Sequence, residues 1–142
     1  MKWLDIARAE KGVKESPGGA DNPRILDYLA TVDLPGPHKD EIAWCSAFVN
    51  WVMIQAGYRG TNSPAARSWM KWGDWCAPQI GAIGVMKRGS SSWQGHVGFV
   101  TGIHGAYVQL LGGNQQDEVC EKAYPMVDFV AFRMPRRSER RG

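Results

Sequence analysis

Between residues 40 and 57 the chain reads DEIAWCSAFVNWVMIQAG, and Cys45, Phe48, Val49, Val52, Met53 and Ala56 recur at the three-and-four spacing of one helical face. Asp40 and Glu41 supply acidic first-turn residues after Pro35-Gly36-Pro37, and Gly57 supplies a stop. A helix over 40–57 is therefore predicted, with Cys45 in its first or second turn. Shorter helical patterns flank it. Trp3 to Val13 turns Trp3, Leu4 and Ala7 to one side; Asn22 offers a cap and Pro23 a first helical position, with Ile25, Leu26 and Leu29 inward. Ser63-Pro64 opens another short helix through Trp72, ended by Gly73.

Past Pro78 the pattern changes. Apolar or alternating runs at 83–86, 97–100, 107–111, 119–124 and 129–132, separated by Gly, Ser, Asn, Asp or Pro, read as five strands. Links such as Gly102 to Gly105 are too short for helical crossovers and favour hairpins, so the sheet is predicted to be mainly antiparallel. The fold class is α+β, helices first and a curved sheet second, with the central helix against the sheet.

A chain of 142 residues with 44% hydrophobic content suits one domain with a real core, and no apolar run approaches the roughly 18 residues that span a bilayer. Residues 1–135 are read as that domain. Five arginines against Glu139 give the last ten residues a net charge of +4, leaving −1 for the rest of a chain whose total is +3. The basic character thus sits in a tail, 136–142, which is either a solvated end or an electrostatic contact to anionic envelope polymers or lipid. With no aromatic and basic interleaving in the helical body, nucleic acid is not an expected partner. Trp69, Trp72 and Trp75 are read as rings sealing the core, against the alternative of stacking on a carbohydrate. Met1 to Asp5 leads into an amphipathic pattern rather than a secretory core, so the chain is expected to be made in a cytoplasm, where reduced thiols at Cys45, Cys76 and Cys120 are expected over the alternative of a Cys76–Cys120 bridge.

A cysteine leading the apolar face of a helix packs equally well as a small hydrophobe. What changes the picture is a partner. His96, in Gly95-His96-Val97-Gly98-Phe99-Val100, begins a strong strand between glycines, whereas His38 lies in a loop and His104 in a hairpin turn. Hydrolysis by a Cys-His pair needs a sulfur on a rigid element, an imidazole to receive its proton, and a polar group behind the ring. Asn114, after the next strand in Gly112-Gly113-Asn114-Gln115, folds back toward His96 if the two strands form a hairpin. Gln115 and Gln116 compete for that place, and Asn114 also suits a plain turn or left-handed position. Two potential ligands fall short of the three or more of a zinc site, so no metal or other cofactor is expected.

Taken together, Gly12-Val13-Lys14-Glu15 with Asn22-Pro23-Arg24-Ile25, Trp44-Cys45-Ser46-Ala47-Phe48-Val49-Asn50-Trp51, Ala56-Gly57-Tyr58, Ala66-Arg67-Ser68-Trp69, Gly81-Ala82-Ile83, Gly95 to Val100 and Gly112 to Gln115 resemble the CHAP and NlpC/P60 superfamily of papain-like peptidoglycan hydrolases, in its short phage endolysin or prophage branch. The resemblance runs from about residue 3 to residue 134. It implies a papain-like fold with Cys45 as nucleophile, His96 as base and Asn114 orienting the imidazole. It also implies the Cys45 N–H as an oxyanion donor, assisted by a group near Asp40 or Glu41. The implied substrate is an amide of the peptidoglycan stem peptide or of its N-acetylmuramoyl-L-alanine junction, cut by a monomer released through a holin-type route into the periplasm or wall. The alternatives are a secreted antibacterial amidase effector and a non-catalytic wall-binding module.

Overall fold

The computed structural model describes residues 1–16, 22–34, 44–90 and 94–141. The Pro35-Gly36-Pro37 loop, His38, the acidic pair Asp40 and Glu41, and the turn at Gly18 to Asp21 lie outside the described residues. Three helices come first: α1, Lys2–Ala9; α2, Pro23–Leu29; and α3, Cys45–Gln55. At α2 the Asn22 side chain accepts the Arg24 N–H at 2.8 Å, and Pro23 fills a position where its missing N–H costs nothing.

The α3 helix departs from a one-faced pattern. Cys45, Ser46, Ala47, Phe48, Val49, Asn50, Val52 and Met53 are all buried, because α1 and α2 pack on it from one side and the sheet from another. The two polar residues drawn inside are satisfied. Ser46 Oγ donates to the Ser63 carbonyl at 2.8 Å and accepts from Trp69 Nε1 at 3.0 Å, while Asn50 Oδ1 accepts the N–H groups of Thr61 and Asn62 at 2.8 and 3.0 Å. The helix predicted from Ser63 is a 3-10 helix, Ala66–Lys71, preceded by Ser63 Oγ accepting the Ala65 N–H at 3.1 Å.

The sheet contains β1 (Asp74–Trp75), β2 (Ile83–Lys87), β3 (Gly95–His104), β4 (Tyr107–Gln115), β5 (Glu118–Pro125) and β6 (Phe129–Met134), in the order β1-β6-β2-β3-β4-β5 with every pair antiparallel. The five expected strands are present. β1 was not legible, since two residues make no pattern; it exists by pairing Asp74 and Trp75 with Met134 and Arg133. Gln116 and Asp117, at φ 55° and 63°, form the two-residue turn between β4 and β5 with the positive φ that a tight hairpin demands. Along the outer edge of β5, Val119 N–H donates to Val13 O at 2.7 Å and Gly12 N–H donates to Val119 O at 2.9 Å. The Gly12 to Glu15 segment thereby covers an edge that would otherwise stay open.

Residues 136–141 do not hang free. Arg136 Nε meets Asp74 at 2.8 Å, Arg59 N–H donates to Glu139 O at 2.6 Å, Arg141 N–H donates to Gly57 O at 2.8 Å, and Tyr58 and Arg140 form an antiparallel bridge. Backbone hydrogen bonds, invisible in a count of arginines, hold this strip against the body.

Candidate active site

Cys45 is the first helical residue of α3, following the N-cap Trp44. That end of the helix meets β4 at Gly113, where a Cβ would come within 2.7 Å of Trp44 Cζ3 and 2.8 Å of Phe48 Cβ. Only a residue without a side chain lets strand and helix approach so closely, and this approach seats Cys45 against the sheet. The sulfur is buried, with a residue exposure of 7%. Burial raises its pKa; the N–H groups of Val97, Ser46 and Cys45 itself, together with the charge of Arg88, pull the other way without reversing the direction. The thiol rests protonated, beside the peptide N–H of the residue that follows His96.

His96 is 2% exposed, and its ring lies 5.6 Å from that of Tyr124. Burial pulls its pKa down to about 4, against the opposing effect of a hydrogen bond to Gln115, so the imidazole is neutral at pH 7. Its tautomer follows from the partners of Gln115. The Gln115 Nε2 donates to the Cys120 and Leu110 carbonyls at 2.7 and 3.2 Å, which turns Oε1 toward His96 Nε2 at 2.8 Å and the Tyr124 hydroxyl at 3.1 Å. An amide oxygen only accepts, so Nε2 carries the hydrogen and Nδ1 keeps the lone pair.

The side chain behind the imidazole is thus Gln115, where the sequence pointed first to Asn114. The reason is a bulge. Gly112 pairs with Cys120 and Gln115 with Glu118, so β4 spends one more residue than β5 across this interval. Gly112 faces the ring: a Cβ there would lie 2.9 Å from Gln115 Oε1 and 3.3 Å from His96 Nε2. Regular alternation from Gly112 would bring Asn114 to that face; the extra residue hands the place to Gln115. Asn114 absorbs the distortion at φ 59°, the left-handed conformation in which asparagine is tolerated.

Two neighbours were missed in the sequence. Tyr124 lies opposite Val108 in the β4–β5 register, and burial raises its pKa to about 12, so its hydroxyl stays a donor to Gln115. Arg88 follows β2, whose Met86 and Lys87 pair with His96 and Gly95; its charge disfavours the imidazolium and favours the thiolate. A basic pair ending a strand was the only signal for it. Trp69 and Trp72 are buried and pack edge to face, while Trp75 is 74% exposed on β1, so two of the three rings belong to the core. Cys76 and Cys120 are free thiols, His104 is exposed, and among the described residues no three His, Cys, Asp or Glu side chains converge as metal ligands. No helix among the described residues is long and apolar enough to cross a membrane.

A neutral imidazole with its lone pair on Nδ1, and a thiol at a helix N-terminus, are the components of nucleophilic acyl transfer. The family model for the CHAP domain matches residues 37–114, more than half of the chain. No curated protein sequence matches it. Among solved structures, that of a wild-type endolysin, LysIME-EF1, is similar with a TM-score of 0.60 at 14% identity, covering 95% of this chain and 64% of that one. The likeness is one of fold, and this chain spans a little under two thirds of that endolysin's length.

Proposed function

The chain belongs to the CHAP domain family, and from that premise we propose that it hydrolyses an amide bond of peptidoglycan, with Cys45 as nucleophile, His96 as base and Gln115 orienting the imidazole. The observation that carries this reading is the clamp on Gln115, whose amide oxygen holds the hydrogen of the burial-neutralised His96 on Nε2 and leaves the lone pair on Nδ1. Nδ1 takes the thiol proton as sulfur attacks the carbonyl carbon. The developing oxyanion is met by the Cys45 N–H, one of the first-turn donors that have no partner within α3 itself. The imidazolium then gives its proton to the departing amine as the C–N bond breaks, leaving a thioester. Water, deprotonated by the same Nδ1, cleaves the thioester, releases the carboxylate and restores the thiol.

The substrate bond is an amide of the stem peptide or the N-acetylmuramoyl-L-alanine junction. The biological role that fits is lysis of a host wall by an endolysin, made in the producing bacterium's cytoplasm and admitted to the periplasm or wall through a holin-type route. LysIME-EF1, described as an endolysin, has a similar fold, which is compatible with that role. Digestion of purified sacculi followed by mass spectrometry of the released fragments tests the reading. New amine and carboxyl ends are expected with the wild type and at least about a 10³-fold lower rate with Cys45→Ala at unchanged thermal stability. A folded Cys45→Ala protein with wild-type turnover ends the proposal.

A further inference from the structure

At the opposite end of α3 from Cys45, a cleft of about 360 Å³ is lined by Ile54, Arg59, Gly60, Asn62 and Arg141. Ile54 lies nine helical steps after Cys45, roughly 14 Å along the axis, so this is a separate place on the molecule. Its two arginines come from chain segments more than 80 residues apart in sequence, brought together by the antiparallel bridge between Tyr58 and Arg140. Strand alternation sends Tyr58 and Arg140 to one side, where the guanidinium lies 6.0 Å from the ring centroid, and sends their neighbours Arg59 and Arg141 to the other.

Two ordinary explanations for such a pair do not apply. Among the described residues neither guanidinium has a carboxylate within salt-bridge distance; Lys11, Arg24 and Arg136 hold those partners, and Glu139 in the same strip joins none of them. Nor do they cap the end of α3. The carbonyls of Val52, Met53 and Ile54 already accept the N–H groups of Ala56, Tyr58 and Gly57. Beside the arginines, Asn62 has its N–H taken by Asn50 and its carbonyl by Asp33, leaving the side-chain amide uncommitted. Gly60, also in the lining, lets this backbone lie close over the buried Asn50, since a Cβ there would run into Asn50 Oδ1.

We propose that this cleft binds a phosphate group, free or as a phosphate ester, through Arg59 and Arg141 with Asn62 as a further donor. Two planar guanidiniums and an amide offer forked N–H donors suited to a tetrahedral oxyanion, and the volume admits a phosphate with part of its ester. The site does not depend on the hydrolase reading, so Cys45→Ala protein binds phosphate as the wild type does.

Isothermal titration of the full chain with inorganic phosphate at constant ionic strength, with chloride as reference, tests this. Saturable binding is expected, weakened about tenfold by Arg59→Gln and by Arg141→Gln and unchanged by Arg137→Gln, which lies outside the cleft. Co-sedimentation with phosphatidylglycerol vesicles, against phosphatidylcholine alone, distinguishes the sources. Retention abolished by free phosphate and by Arg59→Gln identifies a lipid headgroup as a ligand; titration without retention identifies a soluble or polymer-borne phosphate. A response no different from chloride, or equal losses in all three variants, overturns the proposal by reducing the arginines to a general positive charge.

Discussion

Acidification from pH 7 to pH 4 should destabilise this protein through His96 in a way that can be isolated. His96 has an ordinary pKa of 6.5 when unfolded and one of about 4 in the folded chain. Above pH 6.5 the ring is neutral in both states and pH has no effect through it. Between 6.5 and 4 the unfolded chain takes up a proton that the native site refuses, so stability falls with falling pH by up to about 1.4 kcal/mol per unit. Below pH 4 both states are protonated, and the accumulated loss levels off at roughly 3 kcal/mol. The neighbouring groups do not share this window: burial holds the thiol of Cys45 and the hydroxyl of Tyr124 neutral, and the positive charges of Arg88 and Lys122 add to the effect of burial on the ring. The measurement compares wild type with His96→Gln, which cancels every other group, by urea unfolding at half-unit intervals from pH 3.5 to 8. Their stability difference is expected to shrink toward acid by about 3 kcal/mol. A constant difference would mean that His96 titrates as it does in water. A difference that grows toward acid would mean that the native site holds an imidazolium, paired with a Cys45 thiolate, and the neutral resting state would be wrong.

Three further outcomes follow from the same geometry. Gln115→Leu should lower sacculus turnover by about 10²-fold or more by releasing the tautomer of His96, whereas Asn114→Gly should cost activity little because that side chain does not reach the ring; the reverse order would restore Asn114 to the orienting place. Tyr124→Phe removes a second donor to Gln115 Oε1 and keeps the ring packing, so a loss of about tenfold in kcat with KM unchanged is expected from steady-state assays on soluble fragments. Gly113→Ala should destabilise the fold by about 1–3 kcal/mol in thermal unfolding and also lower activity, since the new methyl pushes the first turn of α3 from β4; a neutral effect on both would show that the close approach does not matter to the site.

Local pattern determined much of this protein. Asn22 and Pro23 start α2 because a cap oxygen and a fixed φ act within three residues, and the apolar runs at 83–86, 97–100, 107–111, 119–124 and 129–132 specify strands because each alternation is complete within its own segment. Cys45 on a helix and His96 on a strand were legible for the same reason. What tertiary structure decided lies where pairing between distant segments overrides counting. A single extra residue in β4, visible only against β5, gives Gln115 the position that alternation would assign to Asn114. β1 is a strand because β6 lies beside it, and the arginine-rich end is an ordered strip because the 57–59 backbone supplies its hydrogen bonds. Periodicity records which way a residue faces within its own element; which residue a bulge displaces, and which stretch finds a partner, is set by backbone groups that no single segment contains.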